Sequence, residues 1–400
     1  MILKNGLIIE NNQLVKKDIR ISGGFIRNVA DNLSFSNEEV IDIDGLLVIP
    51  GAVDVHVHLR EPGFTHKETI KSGTMSAAKG GVTTIMAMPN LNPTPDNLEN
   101  LNYELELIKN SSVVNTYPYA AVSKGQKGIE AANFNELVDK VYAITDDGVG
   151  VNNLDILVEA MKFAKEAGIV MASHAEDAVD SKLPQGEYVA VRREIEYAKQ
   201  VGCKYHFCHM STAESFEAIR QARSEGYTNI TCEVAPHHLF LNEEMIKDGN
   251  WKMNPPLRSE ANRIATLNAL LDGTACMIAS DHAPHTAEEK SQEYAKCPNG
   301  IIGLETMIPL VYTNLIKTNI ATHEDFLNWL VYNPIKVFNL PERKLEVGYP
   351  ADLAILDINN YREYREEEIL SMGKNTPFIG MELTGFTKYT IVNGKIVWQE

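Results

Sequence analysis

Short apolar runs, each followed by a polar turn and then by an amphipathic stretch, recur through the middle of this chain. They begin at Val53 (VDVHVH), Val82 (VTTIMAMPN), Val113 (VVNTYPYAAV), Lys140 (KVYAITDDG), Ile169 (IVMASHAE), Lys204 (KYHFCHMS), Asn229 (NITCEVAPHH) and Cys276 (CMIASDHAPH). Runs of this length, rich in β-branched residues and bounded by turn residues, predict short strands. The stretches between them carry a helical period. Leu154, Leu157, Val158 and Met161 fall at i, i+3, i+4 and i+7 ahead of Gly168, where a helix should stop. Thr65 with Glu68, and Ser211 with Glu214, read as capping boxes. The first of these helices should end at Gly80-Gly81, and the second should turn Phe216 and Ile219 inward and end near Gly226. Eight consecutive strand-helix units predict an α/β fold of the (β/α)8 TIM-barrel type, since a doubly wound open sheet rarely needs eight parallel strands in succession. Beyond the eighth run, residues 303–316 and 324–338 read as further helices.

The two ends keep a different rhythm. ILKNGLII, DIRISGGFIRNV and EVIDIDGLLVI at the start, and ADLAILDI and TIVNGKIVWQE at the finish, alternate apolar runs with turn pairs. Asn5-Gly6, Gly23-Gly24 and Asn393-Gly394 are hairpin signals. The chain therefore divides into residues 1–49 and 341–400, two halves of one small β-rich domain, around residues 50–340, a barrel with trailing helices.

The chemistry lies at the ends of the runs. Period two puts His56 and His58 of VDVHVHLR on one face of a strand, with Asp54 on the same side. An isolated pair of this kind is more often two half-buried strand residues than a metal site. Other run ends change that reading: Asp146-Asp147 on the fourth, His174 on the fifth, His209 on the sixth and Asp281 on the eighth. In a barrel these ends meet at one mouth, where active sites of the fold lie. Imidazole and carboxylate ligands without thiolate suit Zn²⁺, with Mn²⁺, Co²⁺ or Fe²⁺ as substitutes. The set is too large for one tetrahedral ion. Two ions satisfy it, one on His56, His58 and Asp281, the other on His174 and His209, with a carboxylate across both. Period two sends Asp146 and Asp147 to opposite sides without saying which faces the metal. His206 reads as a wall residue, His237 and His238 as weaker ligand candidates, and His66 and His323 as surface residues.

Composition narrows the partners. The chain has 400 residues, 44% of them hydrophobic, and a formal charge of −17. So acidic a surface repels phosphate backbones and anionic lipids, which argues against nucleic acid and membranes as partners. The five cysteines form no CxxC pair, as expected of reduced thiols in a cytoplasmic protein. The N-terminus lacks the apolar run of a signal peptide, and no window approaches a membrane span.

The segments DVHVHLREPG, AMPN, DDGVG, SHAED, HMST, MNPPLR and SDHAPHT, followed by NPIKVFNL and KNTPF, closely resemble the dihydroorotases of the amidohydrolase superfamily. The resemblance runs from about Pro50 to Gly303 and resumes near the C-terminus. It implies a cyclic amidohydrolase that reversibly closes N-carbamoyl-L-aspartate to L-dihydroorotate in pyrimidine synthesis. It also implies a bridging aspartate at Asp147, where many relatives carry a carboxylated lysine, and a hydroxide between two metals activated with Asp281 as acid and base. Substrate binding falls, by the same correspondence, to His58, Arg60, Asn90, Asn254, His285, Asn299 and Gly300. Arg192 and Arg258 read equally as surface charges. Two departures stand out. The connection between His174 and His209 is short, with Leu183-Pro184-Gln185-Gly186 in place of a longer segment, and Asn299 replaces an expected apolar residue.

The nearest rival is another cyclic amidase such as an allantoinase or hydantoinase, which would use the modified lysine and lack the Arg60, Asn90 and His285 set. A second is a non-catalytic scaffold for an aspartate carbamoyltransferase, which would have lost metal ligands. A homodimer, and association with that carbamoyltransferase, are both compatible with the resemblance.

Overall fold

The computed structural model describes residues 1–34, 36–179 and 183–400. The chain opens with β1 (Ile2–Glu10), β2 (Gln13–Ser22), β3 (Phe25–Ala30), β4 (Val40–Asp42) and β5 (Leu47–Pro50). Eight short strands follow: β6 (Ala52–Val57), β7 (Val82–Ala87), β8 (Asn115–Pro118), β9 (Ala143–Ile144), β10 (Val170–Ser173), β11 (Lys204–Phe207), β12 (Ile230–Val234) and β13 (Met277–Ile278). The chain closes with β14 (Leu353–Asp357), β15 (Arg362–Glu363), β16 (Glu382–Leu383), β17 (Phe386–Val392) and β18 (Lys395–Gln399).

Both chain ends enter one sheet, in the order β18-β17-β14-β5-β1-β2-β3 with β4 also beside β1. The junction is the antiparallel pair β5–β14, with Leu353 opposite Pro50 and Leu356 opposite Leu47. Gly23-Gly24 and Asn393-Gly394 turn hairpins as expected. Asn5-Gly6 does not. The pair lies inside β1, where Asn5 has φ 63° and the register against β2 shifts between Leu3 and Gly6. A Cβ on Gly6 would sit 2.7 Å from Ile43 Cδ1, so the glycine serves close packing at a bulge, which shares the composition of a turn. The β1–β2 reversal comes instead at Asn11-Asn12, both at positive φ.

The eight runs of the middle each supply one strand. They pair in parallel as two arcs, β6-β7-β8 and β9-β10-β11-β12-β13. At one meeting of the arcs Thr145 N donates to Ala120 O at 3.0 Å, and at the other His58 N donates to His282 O at 2.8 Å. The strands are buried along most of their length, and with the apolar faces of the surrounding helices they form the main core. Such two-sided burial explains why they read as continuous apolar runs rather than alternating ones.

The helices α1 (Ile70–Lys79), α2 (Leu98–Ser111), α3 (Leu154–Ala167), α4 (Pro184–Val201) and α5 (Ala213–Ser224) lie between the strands. α3 starts on the Asn153 cap and stops at Gly168 with φ 71°. Its buried stripe is Ile156, Leu157, Ala160, Met161 and Ala164, and Leu154 is exposed. α1 begins later than Thr65 and Glu68 suggest: Thr69 caps it, paired with Ser72. Glu68 is withdrawn from the helix end because it is buried against Ser371, Ser72 and His282. Likewise Ser211 forms no capping box. Glu187 of α4 takes its amide at 3.1 Å and that of Thr212 at 3.0 Å, and bonds both hydroxyls. In both places a long-range carboxylate displaces the local cap.

The β-rich sheet is tied to the arcs at Asp352. Its carboxylate lies 2.6 Å from Arg343 Nε and accepts from Asn115 Nδ2 at 2.9 Å and Asn393 N at 2.6 Å. Its carbonyl accepts from Gly51 N at 2.9 Å, where β5 gives way to β6. Asp352→Ala leaves the Arg343 charge buried and unpaired, so urea denaturation of the variant is expected to show a loss of about 3 kcal/mol. A change within the error of the measurement would mean this tie does not hold the two sheets together.

Candidate metal centre

Each strand-end residue singled out above sits at the C-terminal end of its strand. His56 lies in β6 with His58 just past it. Asp147, His174, His209 and Asp281 follow the ends of β9, β10, β11 and β13. All six are buried.

Asp147 stands at the centre. Its Oδ2 faces one histidine pair, 3.3 Å from His56 Nε2 and 3.5 Å from His58 Nε2. Its Oδ1 faces the other, 3.6 Å from His174 Nδ1 and 3.5 Å from His209 Nε2, two nitrogens themselves only 2.9 Å apart. Asp281 Oδ1 joins the first pair, 3.4 Å from His56 Nε2 and 3.1 Å from His58 Nε2. The donors thus fall into two groups, His56-His58-Asp147 and Asp147-His174-His209, either of which can hold a cation. Asp146 points away and accepts from the amides of Val122 at 2.8 Å and Ser123 at 3.1 Å.

Metal ions fit this donor set. Buried polar atoms are nearly always satisfied, yet His56 Nε2 and Asp147 Oδ1 have no hydrogen-bond partner among the described residues. Imidazole and carboxylate ligands in two groups sharing one carboxylate suit a pair of borderline divalent ions. A third grouping, His56-Cys208-Glu233, shares His56 with the first and carries a thiol that burial pushes up.

The charges follow from the packing. Burial alone would raise the Asp147 carboxyl, but the His56 charge and the imidazoles of His174, His209 and His56 gathered around it hold it well below the usual range. Asp281 is lowered against burial by the His56 charge, by its bond with His58 and by the charge on His209. His174 is raised to about 9, because the Asp147 carboxylate beside it and its bond to Glu176 outweigh burial. His58 is lowered, mainly by burial and then by the charge on Arg60.

A second layer aims the imidazoles. Glu233 on β12 accepts from His56 Nδ1 at 2.7 Å, from His209 N at 3.2 Å and from His206 Nε2 at 3.0 Å. Asn90 Oδ1 bonds His58 Nδ1 at 2.8 Å while its Nδ2 donates to the Asp147 carbonyl at 3.1 Å. Outer partners of this kind fix ring orientation and raise ligand basicity. Glu233 was not apparent in the sequence: a single carboxylate inside the apolar run ITCEV has no spacing partner, and only its charge in a buried strand marks it. Asp54 belongs to the scaffold, accepting from Ser280 N at 3.1 Å and His56 N at 3.1 Å.

A cavity of about 140 Å³ opens above Asp147, lined among others by His58, Arg60, Asn90, Asn254, Asn299 and Gly300. Arg60, at φ 63°, sets its guanidinium 3.3 Å from His285 Nε2 and donates to Pro284 O at 3.3 Å. Asn254 Nδ2 donates to Glu176 Oε2 at 2.8 Å and lies 2.9 Å from His174 Nε2. His285 Nε2 donates to Asn299 O at 2.8 Å.

The remaining candidates divide. His206 is a buried wall residue and His66 is exposed. His323 is half-buried against Tyr312 Oη at 3.3 Å. His237 and His238 are buried but belong to neither cation group, and His238 Nε2 donates to Pro255 O at 3.0 Å. Arg258 is not a surface charge: it is buried and donates to Ser211 Oγ at 3.1 Å beside Glu187. Of the short connection after His174, Pro184 opens α4, and residues 180–182 lie outside those described. Among the described residues no helix is long and apolar enough to cross a membrane.

The family model described as dihydro-orotase-like matches residues 45–215. The dihydroorotase of Geobacillus thermodenitrificans (strain NG80-2) is 42% identical over 424 aligned positions, covering 100% of this chain and 99% of its own. That of Bacillus thuringiensis (strain Al Hakam) is 43% identical over 421 positions, covering 100% and 98%. Among solved structures, the dihydropyrimidinase of Brevibacillus agri NCHU1002 superposes with a TM-score of 0.89 at 22% identity, covering 100% of this chain and 95% of its own. The L-hydantoinase of Arthrobacter aurescens also superposes at 0.89, at 26% identity and with 100% and 96% covered. The fold is therefore shared with a dihydropyrimidinase and an L-hydantoinase, and the full-length identity above 40% is with dihydroorotases. On that identity, this chain belongs to the dihydroorotase family of the amidohydrolase superfamily.

Proposed function

We propose that the chain is a metal-dependent dihydroorotase that interconverts N-carbamoyl-L-aspartate and L-dihydroorotate at a two-ion centre. The observation that carries this reading is the division of Asp147, with one carboxylate oxygen toward each histidine pair. On this reading His56, His58 and Asp281 would hold one ion and His174 and His209 the other, with Asp147 shared between them. Zn²⁺ fits these ligands best, with Mn²⁺, Co²⁺ or Fe²⁺ as substitutes. The two arcs of parallel strands then act as a closed eight-stranded barrel spanning residues 50–340. Residues 1–49 and 341–400 form the small β domain beside it. Five unpaired cysteines favour a reducing, cytoplasmic setting.

Held by these residues, such ions would supply a water of near-neutral pKa and polarisation of the ring carbonyl. The residues do the rest. Asp281, kept ionised by its histidine neighbours, is the base whose carboxylate accepts a proton from water through the oxygen turned away from the ion and passes it to the leaving ring nitrogen. In ring closure the same oxygen works in reverse. Asn90 keeps the His58 ring turned toward the centre. Arg60 presents a fork to the substrate carboxylate. Burial lowers its guanidinium only to about 10, so it stays cationic at neutral pH. Asn254 and the backbone at Asn299 and Gly300 close the remaining sides. Likeness to hydantoinases is a likeness of shape, and the Arg60, Asn90 and His285 set suits a ring that bears a carboxylate.

The deciding experiment is a substrate panel on metal-loaded protein carrying two equivalents of metal per chain. Dihydroorotate should be opened, and carbamoyl aspartate closed, far faster than hydantoin or allantoin are cleaved; the reverse order would make the chain a different cyclic amidase. Asp281→Asn keeps the shape and removes the proton acceptor. Its kcat should drop by about 10³-fold with the circular dichroism spectrum unchanged, and normal turnover would remove Asp281 from the mechanism. Arg60→Ala should raise the KM for dihydroorotate by about ten- to a hundredfold without altering metal content. An unchanged KM would place the substrate carboxylate elsewhere.

A further inference from the structure

The stretch KNTPF near the C-terminus carries part of the family resemblance yet contributes no residue to the cavity wall. Its Asn375 is nonetheless buried directly behind that wall. Asn375 Oδ1 accepts from His285 N at 3.0 Å, and Nδ2 donates to Ala283 O and to Gly300 O, each at 3.0 Å. Its carbonyl accepts from Ile302 N at 2.9 Å. One amide side chain thus joins the segment carrying His285 to the segment carrying Asn299 and Gly300.

Lys290 reaches the same point from another side. It is 5% exposed, and its ammonium donates to Gly300 O at 2.9 Å and to Lys252 O and Pro298 O at 3.0 Å each. Three backbone carbonyls use all three of its donors. Burial lowers the ammonium to about 8, consistent with a charge held by carbonyl dipoles. Gly300 O therefore receives two donors, Lys290 and Asn375, while Gly300 N donates to Lys252 O at 2.9 Å. The residue has no freedom on its other side: at φ 131°, a Cβ would lie 2.7 Å from Ala283 Cβ and 3.1 Å from His285 Nε2.

A bland alternative is that these bonds only anchor the C-terminal segment. They would then have no reason to converge on one carbonyl of a cavity-lining residue, or to hold the backbone of His285 as well. We propose that Lys290 and Asn375 are positioning residues: from behind the cavity wall they fix Gly300 and His285 and so set substrate affinity without touching substrate. This rests on the dihydroorotase reading for the identity of the substrate, but not for the clamp itself.

The test uses metal-loaded, full-length protein. Lys290→Met keeps the stem and removes the donors, and Asn375→Asp keeps the shape and the acceptor but turns an oxygen toward two carbonyls. Each is expected to raise the KM for dihydroorotate about tenfold, with kcat within about twofold and metal content and melting temperature close to wild type. Because both act on one carbonyl, the double variant should fall short of the product of the single effects. Lys290→Arg should recover part of the loss. Parallel loss of kcat and folded protein, or an unchanged KM, would overturn the proposal. Hydrogen exchange of the Gly300 and Ala283 amides, which needs no substrate, should quicken in Asn375→Asp while α3 exchanges as before; unchanged exchange at both amides would also overturn it. Wild-type protein that fails to open dihydroorotate defeats the functional reading alone, and the exchange experiment then still decides the clamp.

Discussion

The centre depends on one buried carboxylate serving two imidazole pairs at once. Asp147 lies among four histidines, and neither an apolar core nor ordinary hydrogen bonding accounts for such a concentration of ligand atoms. Burying charge without compensation costs several kcal/mol per group. The neighbouring pKa shifts record how that cost is met, with carboxylates driven down and His174 driven up by mutual attraction. Two donor groups sharing one carboxylate are an arrangement that a bound cation would hold together.

Precision then comes from residues that touch neither metal nor substrate. Glu233 engages His56, His206 and the amide of His209, so one side chain on β12 aligns groups from two other strands. Asp54 ties His56 to Ser280, next to Asp281. The ligands come from loops and strand ends that are short and buried, and each is braced by a neighbouring strand. That is how a parallel arrangement turns residues far apart in sequence into one rigid constellation.

Much of this was legible in the chain. Eight apolar runs are eight strands because burial on both faces leaves a clear compositional mark. The six candidate ligand residues stand at run ends, where a histidine or aspartate drawn into an apolar setting is costly unless it binds something. What stayed hidden was decided at long range. Asn5-Gly6 has the composition of a turn, but the packing of Ile43 makes it a bulge. Glu68 and Glu187 override local capping because buried hydroxyls and amides elsewhere claim them. Glu233, Lys290 and Asn375 each act alone in sequence and through partners many positions away. No spacing rule exposes such residues.

The pairing of β5 with β14 carries a consequence for how the molecule is made. About three hundred residues separate these neighbouring strands. During synthesis the first five strands emerge long before the partner that covers β5 exists, so one flank of that sheet stays open while the parallel strands are being assembled. Chaperone contact with the nascent chain, and vulnerability to premature termination, should therefore concentrate on that uncovered edge.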